Sequence, residues 1–428
     1  MNPGWQRLHP LTPLLRGWRF LLVVGAGVGQ QGLQGGNGID PSKVGLIVLA
    51  ATAVAVLYGY VVWQTTRYRL TSTELQVDSG LLQRRSRRVP LARLQSVDVV
   101  RPVIARVLGL AELRLEVVGG GSTEAPLAYL TEEQAQTLRS RLLNTVAGRA
   151  EEQVPAPENV LVSVPTGTLV ASVLLGSPAV ATVVLLVVVV AATSAVGTAA
   201  VPILAGALPA YAAFVTLAGK RILAEYGFTV AESPDGLRLR HGLLDTRSQT
   251  IPAGRVQAVR MLEPLLWRPF GWVRVEVDVA GYSGGRSETQ AATKALLPVA
   301  PRALAEALVG RVLGAALPVA AAPVPSRAHW RAPLSKPRLR AGLDDRHLVT
   351  TYGVLTTTTD VVPLAKVQSL RLTSGPWQRR LRLATLHADT AGRRLTGAKA
   401  AHRDAAEAAA LLAELAARTR TARAIASR

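Results

Sequence analysis

The chain has 428 residues, 49% hydrophobic and only 4% aromatic, with a net charge of +21 and no cysteine. The length admits several domains, and the missing cysteines exclude disulfides, thiolate metal sites and cysteine nucleophiles. The basic excess suits an anionic neighbour, either a phospholipid headgroup or an acidic protein. Nucleic acid fits poorly, because no stacking aromatics are interleaved with the cations.

In chain order, residues 15–34 are a weak apolar segment. Trp18 and Arg19 resemble an interfacial anchor, and Gln30, Gln31 and Gln34 dilute its end. A span is expected here, with a surface or re-entrant helix as the other reading. Residues 44–63 are uncharged and long enough to cross roughly 30 Å of hydrocarbon as a helix. They end in Tyr58, Tyr60 and Trp63, with Arg67 and Arg69 behind, as an interfacial belt does.

Residues 161–219 are uncharged over a stretch too long for one crossing. A break at 193–198 yields spans at 168–192 and 199–217, closed by Lys220 and Arg221. The turns at 30–42 and 193–198 hold almost no cations, whereas Arg7, Arg16, Arg19, Arg67, Arg69, Lys220 and Arg221 flank the other ends. Cations collect on the cytoplasmic side, so two hairpins put every long soluble stretch inside. No signal-peptide cleavage pattern is recognisable at the N-terminus.

The predicted organisation is therefore a transmembrane hairpin in 1–64, a soluble domain at 65–150, a linker and second hairpin at 151–221, a second soluble domain at 222–314, a Pro/Ala-rich linker at 315–338 and a third domain at 339–428. His329 and Trp330 are candidates to dock that linker on a neighbour, with a mobile linker as the other reading.

The three soluble stretches repeat one pattern. Gly80, Pro90 and Gln95 recur at the same spacing as Gly242, Pro252 and Gln257, and as Gly353, Pro363 and Gln368. Arg93, Arg255 and Lys366 sit three places after each proline, and Arg106, Arg268 and Arg379 share one offset from their glutamine. Gly109 and Gly271 also match, but the third copy has Arg382; it is the most diverged copy, and its local turn is free to differ. The pattern predicts a hairpin at each Gly-Leu-Leu or Gly-Val-Leu turn, then a strand with proline near its start, then another strand. The alternation in 113–117 and 273–277 fits half-buried strands. Each copy ends in a predicted helix, at 131–146, 301–313 and 402–419, and Thr131 with Gln134 forms a capping-box pair.

With these residues in view, the chain resembles the bacterial pleckstrin-homology-like (PH-like) domain membrane proteins of the multi-copy type. The resemblance covers nearly the whole length. It implies membrane hairpins plus three α+β PH-like domains, each of two near-orthogonal antiparallel sheets closed by a C-terminal helix. It also implies a bacterial cytoplasmic membrane with the soluble domains facing the cytoplasm, and a second, smaller PH-like membrane protein as a partner.

No chemistry-bearing motif emerges. His9, His241, His329, His347, His387 and His402 lack the helical spacing of a zinc site, although His387 and Asp389 share strand spacing. Gly25, Gly27 and Gly29 read as helix-packing positions within an apolar segment. The predicted spans carry no Asp, Glu or His, which argues against a transporter. No catalytic residue, metal or cofactor is expected. The basic residues Arg84, Arg85, Arg87, Arg88, Arg93, Arg240, Arg247 and Arg255 are candidate contacts for anionic lipid or a protein partner, or a solvated strand face. Copy three has Thr356–Thr359 where copy one has arginines, so lipid contact would be strongest in copy one. The preferred reading is a non-enzymatic membrane protein whose modules bind a partner or assemble through sheet edges. The alternative is recognition of anionic headgroups, and an enzyme or transporter comes last.

Overall fold

A computed structural model describes residues 5–7, 9, 10, 12, 49, 50, 52–54, 57, 60, 61, 63–71, 73–79, 85–91, 94–117, 127–147, 159–196, 201–233, 236–251, 254–279, 295–314, 322–391 and 397–426. They fall into two compact units: residues 1–156 with Leu244–Gln249, and Pro157–Leu243 with Thr250–Arg428.

In the first unit, β1 (Gln6–Arg7), β2 (Arg67–Leu70), β3 (Glu74–Ser79) and β4 (Arg85–Pro90) form one antiparallel sheet in that order. β5 (Leu94–Arg101), β6 (Leu110–Val117) and β7 (Leu127–Thr131) pair in sequence as a second group. The closing helix Glu132–Ala147 packs Leu138 and Leu142 onto Leu75, Val97, Leu113 and Leu115. The predicted alternation holds on β6, where Ala111, Leu113 and Leu115 are buried between half-exposed Glu112 and Arg114. The capping box is also present: Gln134 N–H donates to Thr131 Oγ1 and Thr131 N–H to Gln134 Oε1, both at 3.3 Å.

The remaining elements, in chain order, repeat this plan twice. Copy two comprises β8 (Asn159–Ser163), β9 (Thr229–Ser233), β10 (Gly236–His241) and β11 (Thr246–Ile251), then β12 (Val256–Pro264), β13 (Trp272–Val279), β14 (Ala295–Pro301) and the helix Arg302–Leu313. Copy three comprises β15 (Ala322–Pro323), β16 (Arg340–Leu343), β17 (His347–Tyr352) and β18 (Thr356–Pro363), then β19 (Val367–Thr373), β20 (Leu383–Thr390), β21 (Ala398–Asp404) and the helix Ala405–Ala426. In each copy the first strand pairs with the second across a long excursion: β1 with β2, β8 with β9, and β15 with β16.

For copy two that excursion is three apolar helices, Thr166–Leu174, Ser177–Val196 and Val201–Glu225. The expected span at 168–192 is not one straight helix. Gly176 breaks it with a 45° bend, and Leu169, Ser172 and Val173 before the bend are buried, Leu169 in the core of copy two. Trp267, 1% exposed, donates its indole N–H to Ser172 O at 3.0 Å. Among the described residues no single helix is long and apolar enough to cross a membrane; the bent pair Thr166–Leu174 with Ser177–Ala191 qualifies only together. Beyond the bend Val183, Leu186, Val187 and Val190 stay exposed, as do Leu208, Tyr211 and Leu217 on the following helix. The expected span at 15–34 lies outside the described residues. At 44–63 the described positions are helical, with Leu49, Val54 and Leu57 exposed.

Three expectations are refined. Proline closes the strand after the hairpin rather than opening the next, as Pro90 and Pro363 end β4 and β18. A residue without an N–H suits a position where ladder pairing stops. Trp330 is 81% exposed, and among the described residues the linker is held instead by buried Ala328 and by Arg327, which donates to Leu381 O at 2.8 Å. The third copy does not change its turn. Arg382 adopts φ +50, matching Gly109 at +67 and Gly271 at +62. In all three copies that residue's carbonyl accepts the first N–H of the closing helix, from Glu132, Arg302 and Ala405 at 3.1, 2.9 and 3.0 Å. A left-handed conformation costs a side-chain-bearing residue about 1–2 kcal/mol, partly offset by glycine's greater freedom when unfolded. Arg382→Gly is therefore expected to stabilise the protein by about 0.5–1 kcal/mol, read as a higher thermal midpoint.

Candidate interaction site

The repeated glutamine marks a β-bulge. Pairing skips one residue between Leu94 and Ser96, between Val256 and Ala258, and between Val367 and Ser369, which leaves Gln95, Gln257 and Gln368 as the extra residues. A bulge bends its strand and strengthens the local twist. In two copies the free edge of the strand beyond the bulge is covered by another strand.

In the second unit the covering strand is β18, which lies along β12 with Glu263 opposite Thr357, Met261 opposite Thr359 and Arg260 opposite Asp360. Arg260 donates from Nε and Nη2 to the two oxygens of Asp360 at 2.6 and 3.1 Å. Tyr352 O–H donates to Asp360 Oδ2 at 3.1 Å. Asp360 is 2% exposed, and burial raises its pKa despite the guanidinium. The same burial, with Asp360 beside it, pushes the Tyr352 phenol up to about 12. Arg268 Nη2 donates to Val354 O at 2.8 Å and to Thr357 Oγ1 at 2.9 Å, and Leu265 N–H donates to Leu355 O at 2.7 Å. The motif arginine of copy two thus clasps the hairpin turn of copy three.

In the first unit, Thr246–Ser248 pair antiparallel with β5, with Arg101 opposite Thr246 and Val99 opposite Ser248. Arg106 Nη1 donates to Thr246 Oγ1 at 3.1 Å. Counted from the bulge glutamine and from the turn glycine, these positions match those of β12 and β18. Register and clasp are therefore the same in both places.

A second cluster ties the helix Val201–Glu225 to copy two. Glu225, 1% exposed, meets Arg274 Nη1 at 2.7 Å and Arg221 Nε at 3.2 Å, while Arg274 Nε donates to Glu276 at 3.0 Å. Burial lowers the Arg221 pKa, with Arg274 adding to the effect, whereas the paired carboxylates hold Arg274 charged. The Gly242 and Leu243 N–H groups donate to Tyr226 O and Leu223 O, both at 2.8 Å. The hairpin turn of copy two is thereby fixed to the end of the apolar helix.

The sequence candidates are scattered. Arg87 and Arg88 are exposed on β4, and Arg240 is exposed on β10. Arg85 lies on β4, while Arg84, Arg93, Gly80 and Pro252 lie outside the described residues. Arg255 is half-buried. Arg247 lies on the segment paired with β5, where burial and then Arg114 lower its pKa against Asp245, Asp98 and Glu112. Thr356–Thr359 form the pairing face of β18. His387 Nε2 lies 3.1 Å from Thr373 Oγ1, and Asp389 is taken by Arg371 and Ser369. The residues that reasoning from sequence missed are Thr246, Thr357, Asp360 and Glu225. Threonine follows the turn glycine by four places in copies two and three but not in copy one, and that contrast was the available signal.

The family described as "Bacterial PH domain" matches residues 20–146, 169–316 and 312–419. The chain is similar to the "UPF0699 transmembrane protein YdbT" of Bacillus subtilis (strain 168), 24% identical over 288 residues. That alignment covers 58% of this chain and 57% of the relative, so the chain spans little more than half of the relative's length. No solved structure matches. Neither match indicates an enzyme.

Proposed function

Because the chain belongs to the bacterial PH domain family, we propose that it is a non-enzymatic membrane protein whose three PH-like modules serve protein interaction and assembly. The modules face the cytoplasm, on the charge bias of the sequence. The exposed apolar helices of the hairpin inserted between β8 and β9 hold copy two at the bilayer, and the transmembrane relative supports that anchoring. The observation that carries the reading is the shared edge-to-edge register of β12 with β18 and of β5 with Thr246–Ser248. An exposed sheet edge can recognise a partner by accepting an added strand. Anionic lipid is the second reading, favoured by Arg87 and Arg88 exposed together on β4.

Crosslinking the full chain in its native membrane, followed by mass spectrometry, tests this. Protein crosslinks from the soluble copies, retained in zwitterionic nanodiscs, are expected. Association that requires anionic lipid and vanishes in Arg87→Glu/Arg88→Glu would favour the headgroup reading instead.

A further inference from the structure

Strand β19 stands where β5 and β12 stand in the other copies. It has the same bulge at Gln368, then the short helix Pro376–Arg380 with Arg379, then the left-handed Arg382. Arg106 and Arg268, at the place of Arg379, each hold the threonine four residues after a turn glycine. Arg379 is exposed, and its guanidinium makes no hydrogen bond or ion pair with a described residue. Among the described residues β19 pairs with β20 alone. Leu372 on it is 40% exposed and Trp377 beside it 69%. A long, partly apolar, uncovered edge is what proteins ordinarily protect.

We infer that β19 and Arg379 form a docking edge for the hairpin strand of a PH-like module on a different chain. This rests on the proposed interaction function and specifies its surface. The shared register sets the partner's chemistry. The fourth residue after the partner's turn glycine comes to Arg379, and the seventh faces Arg371. In copies two and three these positions are Thr246 and Gln249, and Thr357 and Asp360. The partner strand therefore carries a hydroxyl residue at the fourth position and a neutral or acidic residue at the seventh.

A second copy of this chain offering its own β4 does not fit. The fourth and seventh residues after Gly80 are Arg84 and Arg87. They would oppose Arg379 and Arg371, and like charges directly opposite across a ladder are destabilising. Arg371 is already held by Asp389 at 2.6 and 2.9 Å and is not free to move aside without losing those bonds.

A photo-crosslinking residue at Leu372 of the full chain, in native membranes, tests the inference. The expected product joins β19 to the hairpin strand of a different PH-like chain. Arg379→Ala is expected to reduce its yield roughly tenfold, the scale of a charge-assisted hydrogen bond, with Arg379→Lys restoring part. An unchanged thermal midpoint and expression level of the full chain in Arg379→Ala report that the fold is intact. A product containing only this chain, or one unaffected by Arg379→Ala, overturns the inference. Protein crosslinks elsewhere with none from Leu372 overturn it while leaving the interaction reading standing. No protein crosslink from any soluble copy overturns both.

Discussion

Asp360→Ala is expected to lower the stability of the second unit by about 3–5 kcal/mol, the usual consequence of leaving one member of a buried ion pair alone. The Asp360 side chain is 3% exposed and accepts two bonds from Arg260, whose own side chain is 19% exposed. Removing the carboxylate strands the guanidinium and takes away the acceptor of Tyr352. The loss falls on the seam between β12 and β18, so it weakens the join between copies two and three along with either fold. For a unit of this size it corresponds to a thermal midpoint lower by roughly 6–20 °C. Intrinsic fluorescence follows it directly, because buried Trp267 lies close to that seam. The double change Arg260→Leu/Asp360→Leu is expected to recover much of the loss, since replacing a whole buried pair by apolar groups is often neutral. A double variant as unstable as Asp360→Ala would show that the pair is not the cause.

Glu225→Ala is expected to be nearly as damaging, about 3 kcal/mol, toward the lower end because Glu276 still partners Arg274. Its effect is of a different kind. Glu225 ends the helix Val201–Glu225 and holds Arg274 of β13 and Arg221 of its own last turn. Its loss releases the apolar hairpin from the module that it carries. The expected signature is faster proteolysis around residues 219–228 in detergent, together with a midpoint lower by on the order of 10 °C. A lowered midpoint without new cleavage there would place the role of Glu225 in the core rather than at the hinge.

Much of the architecture was legible in the residues, because it rests on local rules. Alternation along 113–117 and 273–277 needs only a half-buried strand, and Thr131 with Gln134 needs only a helix start. The Gly–Pro–Gln spacing recurred because a turn, a ladder end and a bulge each demand a particular backbone. The join between copies was not legible. Thr356–Thr359 look like an ordinary polar strand until β12 lies against them, and Asp360 gains its meaning only from Arg260, a hundred residues earlier. The apolar run at 161–219 was legible only as hydropathy. Hydropathy does not distinguish lipid from a protein core, so it could not show that Leu169, Ser172 and Val173, inside the expected span at 168–192, are buried. Arg247 read as a surface cation because its neighbours Asp98, Glu112 and Arg114 come from distant strands.

The central claim is that β5 and β12 are each covered along the same edge in one register, and paired cysteines test it most directly in a chain that has none of its own. Met261 and Thr359 lie opposite each other, as do Val99 and Ser248 at the equivalent positions. Side chains directly opposite in an antiparallel ladder come close enough for a disulfide, whereas diagonal ones do not. In membranes holding the full chain, Met261→Cys/Thr359→Cys and Val99→Cys/Ser248→Cys are both expected to oxidise readily, and Met261→Cys/Thr357→Cys to remain reduced. Equal oxidation of the displaced pair, or a bond in only one of the two equivalent pairs, would contradict a shared register.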